Sequence, residues 1–63
     1  MTQNELLYIE DAIGHEKTII DVCRETLNYL DDEKLKTFIE NELNKHTKTK
    51  EQLMNKLEEK VNE

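Results

Sequence analysis

Apolar side chains recur every three or four positions along almost the whole chain, and no proline interrupts the series. In the first half the series contains Leu6, Ile9, Ile13, Ile20, Cys23, Leu27 and Leu30, with Glu16 in one of its places. This spacing puts side chains on one face of an α-helix. Architectures rich in β-turns need glycine and proline, whereas Gly14 is the single glycine here. The sequence therefore predicts an all-α fold.

Capping residues divide this pattern into two helices. Thr2 and Glu5 have the spacing of a capping box, so we expect helix 1 to cover about 3–29. Asp32 can cap a second helix that covers about 33–61, with Glu33 in its first turn. A short connection makes consecutive helices antiparallel neighbours. Residues 1–63 are therefore predicted to form one domain, an antiparallel helical hairpin.

The face that helix 2 turns toward helix 1 is predicted from the same spacing. It contains Leu35, Phe38, Ile39, Glu42, Leu43, His46, Thr49, Leu53, Leu57 and Val61. The middle of this face is polar, because residues 45–51 (KHTKTKE) have no large apolar side chain. Gly14 lies at a similar height in helix 1 and has two interpretations, a tolerated helix glycine or a point of close approach by a partner helix.

A second apolar stripe runs beside the first one on helix 1. It contains Tyr8, Ala12, His15, Ile19, Val22 and Tyr29. The resulting apolar arc is wider than one antiparallel neighbour can cover. We therefore expect the hairpin to dimerise into a four-helix bundle, with Tyr8, Ala12, Ile19 and Val22 at the interface between the two chains.

A polar layer is predicted near the middle of the hairpin. If the turn is centred between residues 31 and 32, Glu16 lies at the height of His46 or Thr47, and Glu42 precedes His46 by one helical turn. One interpretation is an ion-paired layer that fixes the register of the helices. The other is a metal site of Glu16, Glu42 and His46, in which dimerisation supplies six ligands for iron or manganese. Glu10 and His15 are secondary candidate ligands near the same height.

Charge and composition exclude several other functions. The net charge of −6 opposes binding to nucleic acid, and the apolar runs, at most four residues long, are too short for a membrane span. Cys23 is the only cysteine, which is typical of a core residue in a reducing cytosol. There is no serine and no glycine-rich phosphate loop, so we expect a cytoplasmic protein that is not an enzyme.

The stretch from Glu16 to Leu57 resembles half of a ferritin-like bundle. The residues that carry the resemblance are the acid at position 16, the turn LDDEKLKTF, the acidic run ENEL and His46. They are similar to the short ferritin-like segments of bacterial spore coat proteins of the coat-F type. The resemblance implies an antiparallel hairpin, a completed four-helix bundle and a metal-ligand role for Glu16 and His46. The family's Glu-x-x-His motif would need a carboxylate at position 43, where this chain has leucine.

Three functions follow from these features. The first is a small self-associating structural or interaction protein of half-ferritin type, associated with a spore coat. The second is a dimeric half-ferritin that binds metal through Glu16, Glu42 and His46. The third is a small acidic regulator that docks helix 1 on another helical protein, such as a kinase.

Overall fold

The computed structural model describes residues 1–62 and consists of two helices, α1 (Gln3–Leu27) and α2 (Glu33–Val61). No strand occurs in this part of the chain. The two helices pack side by side along a molecule of 47 × 15 × 11 Å. The predicted all-α hairpin is therefore confirmed.

The first helix begins at the predicted capping box. The Glu5 amide donates to the Thr2 hydroxyl at 3.1 Å, and the Thr2 amide donates to the Glu5 carboxylate at 2.7 Å. These hydrogen bonds satisfy two amides that have no acceptor within the helix. The backbone and side-chain hydrogen bonds from Thr2 also hold the pKa of the Glu5 carboxyl below its usual value of 4.5.

The connection between the helices is longer than the sequence predicts, because α1 ends at Leu27 instead of near residue 29. The Asn28 and Tyr29 amides bond to carbonyls three residues back, which is the tightened geometry of a terminating helix. The second helix starts where predicted, at the Asp32 cap, whose carboxylate accepts from the Leu35 amide at 2.9 Å.

The core lies between the helices and is supplied mainly by α1. Its buried side chains are Ile13, Ile20 and Cys23, whereas α2 contributes only half-buried ones. The half-buried apolar residues of the interhelical surface are Leu6, Ile9, Leu27, Ile39, Leu43, Leu53 and Leu57. The predicted core position of Cys23 is confirmed, and its thiol is free.

Three residues predicted to face helix 1 are exposed instead. Leu35, Phe38 and Val61 are 52%, 59% and 66% exposed. Adjacent residues of a helix point about 100° apart, so only one of Phe38 and Ile39 can face α1, and the half-buried Ile39 does. Leu35 and Val61 lie in the end turns of α2, where α1 offers little surface to cover them.

Gly14 lies on an open part of α1. A Cβ atom built at this position would meet nothing within 4 Å, so α2 makes no close backbone approach there. The Gly14 carbonyl accepts the Thr18 hydroxyl at 3.1 Å. Close approach therefore does not apply to α2, and approach by a helix of a second chain stays a prediction.

The polar segment of residues 45–51 continues α2 without a break. The Thr47 and Thr49 hydroxyls bond back to the carbonyls of Leu43 and Lys45, at 2.8 and 3.1 Å. Neither helix within residues 1–62 has a stretch both long and apolar enough to span a lipid bilayer.

Candidate functional site

A polar layer joins the two helices near the middle of the hairpin. The His46 Nδ1 atom lies 2.6 Å from the Glu16 carboxylate, and its Nε2 atom lies 3.5 Å from the Glu42 carboxylate. The side chains of Glu16, His46 and Glu42 are 15%, 24% and 33% exposed. The three residues that the sequence predicts to converge therefore do so, with one carboxylate on each side of the imidazole ring.

The helical geometry explains how this layer forms. Glu16 takes a place in the apolar series between Ile13 and Ile20, so the fold directs its carboxylate toward α2. Glu42 and His46 stand four residues apart on the same face of α2, which brings their side chains together. A partly buried carboxylate loses hydrogen bonds to water. The His46 ring stabilises the Glu16 carboxylate by replacing one of them.

Both ring nitrogens of His46 are engaged by carboxylates, which suits an ion-paired layer. A protonated imidazole donates from both nitrogens, and both face carboxylate oxygens here. A metal ion would need a deprotonated nitrogen of the same ring, so it would compete with the proton that such a nitrogen shares with a carboxylate. Within residues 1–62 no group of three or more His, Cys, Asp or Glu side chains is placed to hold a metal ion.

The secondary candidates, Glu10 and His15, are both exposed and take no part in the hydrogen bond or ion pairs of the layer. A metal centre built from two chains stays a prediction.

A second feature is an apolar surface along one side of the hairpin. Of the four predicted interface residues, Tyr8 and Val22 are 73% and 55% exposed, and Ala12 and Ile19 are half-buried. A single hairpin therefore leaves Tyr8 and Val22 open to water and covers Ala12 and Ile19 in part.

The positions of Glu5 and Lys60 show which residues of α2 lie on the same side. Glu5 and Lys60 line one shallow groove at the open end of the hairpin. Steps of seven residues lead from Glu5 to Ala12 and Ile19. Steps of four and seven lead from Lys60 along α2 to Leu35, so the stripe of α1 and the exposed leucine share a side.

Phe38 stands one helical turn beyond Leu35 and extends this surface outward. We call the combined surface the apolar face. It consists of Tyr8, Ala12, Ile19, Val22, Leu35 and Phe38. The sequence prediction missed the last two by assigning them to the interior. The adjacency of Phe38 and Ile39 was the available signal, because two neighbouring apolar residues cannot both point at one partner helix.

The opposite side of the hairpin also exposes apolar residues, among them Met54 and Val61. An open groove of about 640 Å³ runs there between the helices and has both charged and apolar walls. Its walls are formed by Glu10, Ile13, Gly14 and Lys17 from α1, with Met54, Asn55, Leu57, Glu58 and Val61 from α2.

The total surface of the chain is large for its mass. It exposes 5188 Å². A compact protein of 7.5 kDa exposes roughly 4,200 Å², so the hairpin has about 900 Å² in excess. One partner of a stable interface typically buries about 800 Å². The excess reflects the elongated shape of the hairpin, and it is of the size that one partner of a stable interface buries.

Comparison with protein-family models, with curated proteins and with solved structures finds no match to this chain. The resemblance to ferritin-like spore coat proteins therefore stays a prediction.

Proposed function

We propose that this chain is a small, non-enzymatic interaction protein that associates with itself through the apolar face. Two hairpins would then form a four-helix bundle, a half-ferritin type of assembly in which each chain supplies two helices. The observation that carries the proposal is the exposed apolar face. Its six residues lie on one side of a hairpin that has surface in excess of a compact monomer.

The thin interior supports the same proposal. Within residues 1–62 only three side chains are buried, and none of these is less than 2% exposed. Small domains gain little stability from burial within one chain, and association is one way to add it. Covering the apolar face would remove further apolar area from water, worth roughly 25 cal/mol per Å².

Two features support a function without catalysis. The sequence contains no serine, and the single thiol, Cys23, is buried between the helices. The polar layer contains acids and a histidine, but its groups are paired, Glu16 with His46 across the helices and Glu42 with His46 within α2. This pairing supports a role in fixing helix register.

The test is the mass of the full chain in solution at micromolar concentration. Sedimentation velocity and light scattering are expected to give twice the chain mass of 7.5 kDa. Val22→Glu should weaken the dimer at least tenfold, because it places a charge in the covered surface.

Leu7→Glu is the matched control for this substitution. Leu7 is exposed to a similar extent, 53% against 55%, but does not belong to the apolar face. Both changes introduce a good helix former at an exposed helix position, so neither should unfold the hairpin. A monomeric wild-type chain would contradict self-association and favour a regulator that docks on another helical protein. Equal weakening by both variants would contradict the assigned surface.

A further inference from the structure

The apolar face is uneven along its length. Near the turn it has aliphatic and aromatic side chains on both helices, namely Ile19, Val22, Leu35 and Phe38, which we call the turn-proximal patch. Toward the open end only α1 continues it, through Ala12 and Tyr8. The corresponding positions of α2 are polar, and they are Lys45, Thr49, Gln52 and Lys56.

The two helices also differ in charge. Helix α1 has six acidic and two basic residues, a net charge of −4, whereas α2 has six acidic and seven basic residues, a net charge of +1. Electrostatic attraction therefore favours contacts between α1 of one molecule and α2 of another. Contacts between two copies of α1 bring like charge together.

A symmetric dimer through this face can be built in two ways. If the two-fold axis runs along the hairpin, both turns lie at the same end and α1 packs against α2 of the second copy. If the axis runs across the hairpin, the turns lie at opposite ends and each helix packs against its own copy. The two arrangements cover the apolar face differently.

We propose that a second copy covers the apolar face with both turns at the same end. This inference rests on the self-association proposed above and adds its geometry. The turn-proximal patches of the two copies then meet, and α1 lies against the oppositely charged α2 of the second copy. In the crossed arrangement, Leu35 and Phe38 would face the polar, lysine-bearing half of the second α2.

Symmetry also fixes the register of this arrangement. An axis along the hairpin makes residues at the same height meet, and the Glu16–His46 pair defines that height within each chain. The nearest apolar-face position to Val22 is then Phe38 of the second copy, about 3 Å away in height, and Ala12 lies within one residue of the height of Thr49. Glu5, in the same row as Ala12 and Ile19, lies opposite Lys56 of the second copy.

Distances between spin labels test the packing on the full chain. We would replace the buried thiol by Cys23→Ala and attach nitroxides at Asp31→Cys in the turn or at Asn62→Cys at the open end. With the turns together, both labelled dimers should give distances of about two helix diameters, roughly 20–25 Å. With the turns apart, both distances should approach the 47 Å length of the hairpin.

A charge reversal tests the register independently. Lys56→Glu should weaken the dimer about three- to tenfold, because it places an acid opposite Glu5 of the second copy. Lys48→Glu makes the same charge change on α2 outside the apolar face and should weaken the dimer less. Equal effects of the two variants would overturn the proposed register.

The outcomes separate this inference from the proposed function. A dimer with long label distances overturns the packing and leaves self-association standing. A chain that sediments as a monomer overturns both. Short distances at both label sites, with a selective effect of Lys56→Glu, support both.

Discussion

Ile20 and Val22 stand two residues apart in α1 and lie in opposite surroundings. Ile20 is 3% exposed between the helices, whereas Val22 is 55% exposed on the apolar face. Two steps along a helix turn a side chain through about 200°, so α2 can cover one of these residues and not the other. The comparison shows that, within one folded chain, α2 covers only one of the two apolar stripes of α1. The first stripe holds the hairpin together, and the second is available for association.

The largest expected effect tests the covered stripe. Ile20→Asp should abolish the folded hairpin, because it buries an unpaired carboxylate at a cost of several kcal/mol. Thermal melts followed by circular dichroism measure this loss. Glu58→Ala, at an exposed position, should change the free energy of unfolding by less than about 0.5 kcal/mol. Similar losses for the two variants would show that the assignment of the interhelical face is wrong.

An intermediate effect is expected at the polar layer, which interrupts the covered stripe. Glu16→Gln keeps the shape of the side chain and removes the charge that faces His46. It should lower the free energy of unfolding by about 1–2 kcal/mol, measured by urea denaturation.

The same variant distinguishes the polar layer from a metal site. We expect Fe²⁺ or Mn²⁺ to leave the melting temperature of the wild-type chain unchanged. A metal-dependent rise in the wild type that Glu16→Gln abolishes would instead establish the metal-binding half-ferritin.

The smallest expected effect concerns Gly14, which belongs to neither stripe. Because a Cβ atom there meets nothing within 4 Å, Gly14→Ala should raise the free energy of unfolding by about 0.5–1 kcal/mol. Chemical denaturation measures the change, and sedimentation should show the same dimer. A weaker dimer would mean that a second chain packs against Gly14 and not only against the apolar face.

Local sequence signals predicted most of the hairpin. The Thr2–Glu5 capping box and the Asp32 cap need only residues three apart, so the sequence identifies both helix starts. The end of α1 was predicted about two residues too late. Its terminating hydrogen bonds join backbone atoms, so no capping residue in the sequence identifies where they form. The contact between Glu16 and His46 was predictable because a short turn fixes the height at which the arms meet.

The sequence by itself determined two amphipathic helices, their caps and the polar layer, because these depend on spacing along the chain. Only the tertiary structure decided that Leu35 and Phe38 lie outside the core. Their exposure depends on how the two helices are rotated about their own axes when they pack, and on where α1 ends. Both residues are apolar and have the spacing of interhelical positions. The position of the neighbouring helix decides which apolar residues are covered.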